Sequence, residues 1–117
     1  MSKRPYSKYR KAGEFVYVSG QSGFNPAERT IGESIEEQTN QCLKNVEAAL
    51  LEAGASMNNV IKCSVFLKDT SDFRQMNSVY VKFFNDTPPA RTTVGAFLAS
   101  PKMKIEIDAV AYLPNEE

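Results

Sequence analysis

Residues 90–113 read Ala90-Arg91-Thr92-Thr93-Val94-Gly95-Ala96-Phe97-Leu98-Ala99-Ser100-Pro101-Lys102-Met103-Lys104-Ile105-Glu106-Ile107-Asp108-Ala109-Val110-Ala111-Tyr112-Leu113. Both halves alternate with a period of two, the signature of half-buried strands, and Ala99-Ser100-Pro101-Lys102 supplies a turn between them. Thr92, Val94, Ala96 and Leu98 form one face of the first run; Ile105, Ile107, Ala109 and Ala111 form one face of the second. A hairpin that sets Leu98 opposite Met103 brings Val94 onto Ile107 and Ala96 onto Ile105, apolar on apolar, because cross-strand partners share a face. The same register sets Gly95 opposite Glu106, Thr93 opposite Asp108 and Arg91 opposite Val110 on the other face.

Upstream, Glu14–Gly20 alternates Phe15, Tyr17 and Ser19 with Val16, Val18 and Gly20, and residues 5–11 offer a partner strand through a turn at Lys11–Glu14. Gln21–Gly32 holds Gly23, Pro26 and Gly32 and reads as a loop. Ser34-Ile35-Glu36-Glu37 is a capping box. After it Ile35, Thr39, Cys42, Leu43, Val46, Ala49, Leu50 and Ala53 follow one helical stripe, with Gly54 as its stop. Val60–Lys68 reads as a strand with Ile61, Cys63, Val65 and Leu67 inward. A second helix runs from Ser71 or Asp72 to Phe84 on the stripe Phe73, Met76, Asn77, Tyr80, Phe83 and Phe84. Asn77 interrupts that stripe, and a buried amide bonded to backbone accounts for it. The order β-β-α-β-α-β-β predicts an α+β fold, a mixed sheet with two helices on one face.

The chain has 117 residues, 14 Lys+Arg against 14 Asp+Glu, and no histidine. The length fits a single domain spanning 1–117. Without histidine there is no Ser-His-Asp or Cys-His nucleophile, no imidazole base and no His-containing metal site. The two cysteines, Cys42 and Cys63, lie on core faces and read as small buried apolar residues. Zero net charge argues against a general nucleic-acid surface. No run approaches the length needed to span a bilayer, and MSKRPYSKYRK carries no apolar signal core, so the cytosol is the expected compartment.

Phe15, Tyr17, Phe66, Phe97 and Tyr112 share the face opposite the helices with charged residues. A second copy of the chain covering that face is the expectation. Arg91 and Glu106 on it are open to two readings. They pair with each other or with water, or Arg91 grips a carboxylate ligand beside a Glu106 that orients water.

Several pieces together decide more. Pro5-Tyr6-Ser7, Val18-Ser19-Gly20-Gln21, Glu37-Gln38 with Asn45-Val46, and Ala53-Gly54-Ala55 are followed by Val65-Phe66-Leu67-Lys68-Asp69, Asp72-Phe73, Met76-Asn77-Ser78-Val79-Tyr80 and Phe83-Phe84. Pro89-Ala90-Arg91-Thr92 and Lys104-Ile105-Glu106-Ile107-Asp108-Ala109 complete the set. In this order, over nearly the whole chain, they resemble the Rid/YjgF family, whose characterised enzymes are reactive-imine deaminases. The resemblance implies a chorismate-mutase-like fold and a homotrimer with clefts between subunits. It also implies cofactor-free hydrolysis of 2-imino acids such as 2-iminobutanoate and 2-iminopropanoate to 2-oxo acids and ammonia. By motif position it implies that Arg91 holds the substrate carboxylate and Glu106 positions the water. Tyr6, Ser19, Gly20, Asn77 and Thr93 line the cleft in the same picture. Departures from the common pattern are Thr93 in place of Cys, Gly95 in place of an acid, a bulky Phe97 and Arg4 in place of Gly; they bear on substrate preference. Two other functions stay in view. One is a non-catalytic trimer binding small carboxylates as a regulator. The other is an RNA-acting protein using the basic cluster Lys3, Arg4, Lys8, Arg10 and Lys11.

Overall fold

The computed structural model describes residues 4–84 and 86–115; Lys3 of the basic cluster lies outside them. The strongest local signal in the sequence, Ser34 to Gly54, forms the long helix α1 (Ile35–Glu52). Ser34 Oγ accepts from the Glu37 N–H at 3.0 Å, and Glu37 Oε1 accepts from the Ser34 N–H at 3.1 Å, so the capping box is complete. The other end closes as a Schellman motif. Gly54 takes φ +87°, the Ala55 N–H reaches Leu50 O at 2.8 Å and the Gly54 N–H reaches Leu51 O at 3.1 Å. Removing the cap hydroxyl in Ser34→Ala is expected to lower unfolding stability by about 1 kcal/mol, read from urea denaturation with the slope unchanged.

A hairpin with Gly13 at φ +59° in its turn joins β1 (Tyr9–Ala12) to β2 (Phe15–Gln21). Residues 21–32, expected as plain loop, contain a miniature hairpin of β3 (Phe24–Asn25) and β4 (Thr30–Ile31). The Asn25 side chain caps its turn by accepting from the Ala27 and Glu28 N–H groups. After α1 come β5 (Val60–Leu67), a 3-10 turn at Thr70–Asp72, and helix α2 (Phe73–Tyr80), which tightens into a 3-10 turn at Val81–Phe83. The chain ends in β6 (Ala90–Gly95) and β7 (Ile105–Tyr112).

The five-stranded sheet has the order β1-β2-β7-β5-β6, with β5 and β6 parallel and every other pair antiparallel. This is the predicted α+β architecture, with α1 and α2 both packed on one face. One expectation fails inside it: β6 and β7 are not a hairpin. β7 sits at the centre because its inner face, Ile105, Ile107, Ala109 and Ala111, is apolar throughout and meets apolar partners on both sides. Ala111 and Ala109 face Val16 and Val18 of β2; Ala109, Ile107 and Ile105 face Cys63, Val65 and Leu67 of β5. β6, with Arg91, two threonines and Gly95, takes the edge, where polar residues belong.

The connection from β6 to β7 therefore crosses the end of β5. The Ala96 N–H bonds Leu67 O at 2.9 Å, the Lys68 N–H bonds Lys104 O at 3.1 Å, and Lys68 Nζ bonds Pro101 O at 2.9 Å. The buried amide of Gln38 fastens this crossing to α1, donating from Nε2 to Gly32 O and Lys102 O and accepting at Oε1 from the Lys104 N–H at 2.7 Å. A smaller difference lies in β5. Its register slips between Val60 and Lys62, so Val60 is buried and Ile61, expected inward, is exposed. Phe73, expected in the core, is also largely exposed.

The core is the inner face of β2, β5 and β7 against Leu43, Val46, Leu50 and Met76 of the helices. Cys42 and Cys63 are both fully buried within it, and burial pushes both thiols up from their ordinary range, as expected of packing residues. Among the described residues no helix is long and apolar enough to cross a membrane, and no group of three or more acidic, cysteine or histidine side chains gathers as a metal site.

Candidate active site

Parallel pairing of β6 with β5 decides which way each β6 side chain faces. Arg91 is opposite Cys63 and Thr93 opposite Val65, and both β5 residues point at the helices. Arg91 thus lies on the helix side of the sheet, where α2 receives it. Phe73, Asn77 and Tyr80, spaced i, i+4 and i+7, form one stripe along α2. Arg91 Nη1 donates to Asn77 Oδ1 at 2.7 Å. The guanidinium carbon lies 4.7 Å from the Tyr80 ring centroid and 5.5 Å from that of Phe73. Asn77 is therefore an acceptor for Arg91 rather than the backbone-bonded amide expected. Phe73 and Tyr80, read from sequence only as core, are the two site residues that reading missed. Their helical spacing around Asn77 was the available signal.

Asn77, Tyr80 and Phe73 meet the guanidinium among the described residues, and all three are neutral. Among the described residues the ion pair present joins Lys8 to Glu52 at 2.7 Å, far along the chain from Arg91. The half-buried guanidinium keeps its whole charge for an anion.

Glu106 occupies the other side of the sheet. It is opposite Phe66, which is in turn opposite Val94, so these three share the face away from the helices. The expectation that Arg91 and Glu106 share a face is overturned. It depended on the antiparallel β6–β7 pairing, and the parallel pairing with β5 turns the odd-numbered β6 residues over. Within one copy of the chain, the two residues lie on opposite surfaces of one sheet.

Around Glu106 the ladder between β2 and β7 is irregular. Val18 pairs with Ala109 but Gln21 pairs with Ile107, leaving Ser19 and Gly20 opposite Asp108 alone. This bulge turns Gly20 toward the Glu106 carboxylate, so that a Cβ built at Gly20 would overlap it. The glycine beside Glu106 is thus Gly20, not Gly95, which the hairpin register had set opposite it. Gly95 is opposite Leu67, and a Cβ there would meet Thr70 Cγ2 at 2.7 Å. Ser19 Oγ donates to Ser7 O at 2.6 Å, and the Ser19 N–H bonds Lys8 O at 3.0 Å. Those bonds fasten the Tyr6–Lys8 segment to the bulge and leave Tyr6 largely exposed beside it. Burial, with a smaller push from the Asp108 carboxylate, raises the Glu106 carboxyl above its ordinary range. Asp108 accepts from the Ser64 N–H at 3.2 Å.

Aromatic side chains stand uncovered elsewhere on this face. Phe15, Tyr17 and Tyr112 remain 38%, 48% and 39% exposed, and Phe15 packs on Tyr112 with ring centroids 5.4 Å apart. Phe97, beyond the end of β6, is fully exposed. Thr93 is half-buried on the Arg91 side. The sequence-named residues thus fall into two groups, Arg91, Asn77 and Thr93 on one surface and Glu106, Ser19 and Gly20 on the other, with Tyr6 exposed on the segment that Ser19 fastens.

The family model described as Endoribonuclease L-PSP matches residues 1–113. A RutC family protein of Pyrococcus horikoshii is 43% identical over 109 residues, 92% of this chain and 86% of that protein. The chloroplastic Reactive Intermediate Deaminase A of Arabidopsis thaliana is 38% identical over 110 residues, 93% of this chain and 59% of that protein. Among solved structures, E. coli TdcF with bound serine superposes with a TM-score of 0.90 at 33% identity, covering 97% of this chain and 91% of that one.

Proposed function

This chain belongs to the endoribonuclease L-PSP, or Rid/YjgF, family, and on that footing we propose that it hydrolyses reactive 2-imino acids to 2-oxo acids and ammonia without a cofactor. The observation that carries this reading is the uncompensated Arg91 cation. It is half-buried, bonded to an amide oxygen, set against two rings, and has no carboxylate partner among the described residues. A guanidinium in that state is a receptor for a small carboxylate. The serine held by E. coli TdcF, itself a small carboxylate, supports the same class of ligand.

Arg91 and Glu106 act on one small substrate only if two copies of the chain contribute one each. In this reading three copies pack through their uncovered sheet faces, where aromatic surface left in water costs roughly 25 cal/mol per Å². Each seam brings Arg91, Asn77 and Thr93 of one copy to Glu106, Ser19, Gly20 and Tyr6 of the next. The whole of 1–117 serves as one catalytic domain, with the cytosol as its working compartment.

The substrate is already activated. A protonated 2-imino acid carries an electrophilic C=N carbon next to its carboxylate. Arg91 holds the carboxylate. Glu106 accepts a proton from water as the oxygen bonds to that carbon and the C=N pair moves onto nitrogen. Glu106 returns its proton to the carbinolamine nitrogen, the C–N bond breaks as the oxygen lone pair reforms C=O, and the hydroxyl proton passes to the departing ammonia. Water and iminium become 2-oxo acid and ammonium, with no electron exchanged. Proximity and electrostatics supply the acceleration.

The purified chain should release ammonia from freshly generated 2-iminobutanoate and 2-iminopropanoate faster than buffer does. Binding of 2-oxobutanoate with no acceleration of ammonia release would overturn the catalytic reading in favour of a carboxylate-binding regulator.

A further inference from the structure

The stripe Phe73–Asn77–Tyr80 has a role of its own. We infer that Tyr80, helped by Phe73, is the positioning residue for Arg91, its ring holding the guanidinium against α2 while Asn77 fixes the orientation of the terminal amine. The inference rests on the reading of Arg91 as a carboxylate clamp and adds the residues that aim it.

The physical case starts from what an arginine on an edge strand does by default. Its long side chain samples many rotamers in water, and a carboxylate that captures it must first halt that motion. Ordinary proteins halt it with an acidic partner, at the cost of the charge. Here the restraint is neutral. The Tyr80 ring lies 4.7 Å from the guanidinium carbon, within cation–π range and closer than the 5.5 Å of Phe73. Nη1 donates at 2.7 Å to an amide oxygen, a neutral partner that takes none of the charge. The arginine is held by neutral groups, and its charge is left for a ligand.

Tyr80 itself separates ring from hydroxyl. The residue is buried, 4% exposed, and its Oη, near both the Cys63 thiol and the Arg91 guanidinium, makes no hydrogen bond of good geometry among the described residues. Burying an unpartnered hydroxyl destabilises a fold, so the hydroxyl is not what the position needs from packing. Burial also pushes the phenol up from its ordinary range, so it stays neutral and never becomes a counter-ion for Arg91. The ring is what acts.

The test uses the full chain with 2-oxobutanoate as calorimetric probe, alongside KM and kcat for 2-iminobutanoate. Tyr80→Phe keeps the ring and should weaken the probe no more than about threefold, with a raised Tm. Tyr80→Leu removes the ring and should weaken it by about tenfold, the scale of a partly desolvated cation–π contact. That loss should appear in KM, with kcat within about threefold. Should Tyr80→Leu not fold, Phe73→Leu decides, since Phe73 is 44% exposed and its loss spares the core; about threefold weakening is expected there. Equal losses in Tyr80→Phe and Tyr80→Leu, full affinity without either ring, or a loss confined to kcat each overturn the inference. An Arg91→Ala arm separates the two levels: if it leaves 2-oxobutanoate affinity intact the clamp reading itself falls, whereas if it abolishes binding and Tyr80→Leu binds as tightly as wild type, only the positioning role falls.

Discussion

Arg91→Ala is expected to lower kcat/KM for 2-iminobutanoate by roughly a hundred- to a thousandfold, most of it through KM. A hydrogen bond to a charged group contributes about 1.5–3 kcal/mol, and two parallel ones to a carboxylate approach 4 kcal/mol, which is close to a factor of a thousand. Nothing else among the described residues near Arg91 can replace that charge, since its neighbours are Asn77, Tyr80 and Phe73. Arg91→Lys is the informative control. It keeps the cation but gives up the planar fork, the bond to Asn77 and much of the fit against the rings, so activity should recover only part of the way. The fold should survive both changes. Arg91 is a half-buried residue of an edge strand, and the amide it leaves can turn to water. Steady-state ammonia release, with far-ultraviolet circular dichroism on each variant, checks this. An Arg91→Ala protein that retains its fold and a wild-type KM removes the carboxylate clamp from the mechanism.

The placement of Arg91 also marks where periodicity stops being informative. The inner faces of α1, β2 and β7 were legible because one side of each is predominantly apolar, as in Val16 and Val18 or Ile105, Ile107, Ala109 and Ala111, with Thr39 and Gln38 the polar members on α1. β6 has no such asymmetry. Thr92 and Val94 are hardly more apolar than Thr93 and Gly95, so its pattern fits either face, and its orientation is decided by the strand it joins. That strand is β5, chosen because central β7 is already flanked by two more apolar partners. Hairpin adjacency was the natural guess. What argued against it lay sixty residues away, in the Gln38 amide that fastens Lys102 and Lys104 to α1. The same logic explains the glycines. Gly20 and Gly95 look alike in sequence, but only a bulge in β2, invisible to a period-two count, puts the first against Glu106. The identities of Arg91 and Glu106 came from motif resemblance. The face of each, and the consequence that one copy holds only half a site, came from pairing.

Glu106→Gln should slow the chemical step by about a hundredfold or more, the usual worth of a positioned proton acceptor, and leave KM within a few-fold. The same substitution should stabilise the fold, and the reason is one of sign. Burial is the main cause that lifts the Glu106 carboxyl above its ordinary value of 4.5, and the Asp108 charge adds to it. A folded state that holds this proton more tightly than the unfolded chain gains stability from it below the unfolded pKa. That gain is lost as pH rises through the higher folded value, so at neutral pH the ionised Glu106 weakens the fold. An uncharged glutamine escapes this penalty. Its Tm should exceed wild type at pH 7, and the difference should shrink toward pH 4. Catalysis follows the opposite dependence, because the carboxylate form is the proton acceptor. The wild-type rate should rise through an acid limb centred above 4.5, and Asp108→Asn should move that limb down by removing the neighbouring charge. Thermal melts and pH–rate profiles of these proteins test the two halves separately. A Glu106→Gln variant that is faster-melting and fully active would assign the carboxylate to structure, while one that is slow, more stable and without the acid limb ties activity and instability to the same buried charge.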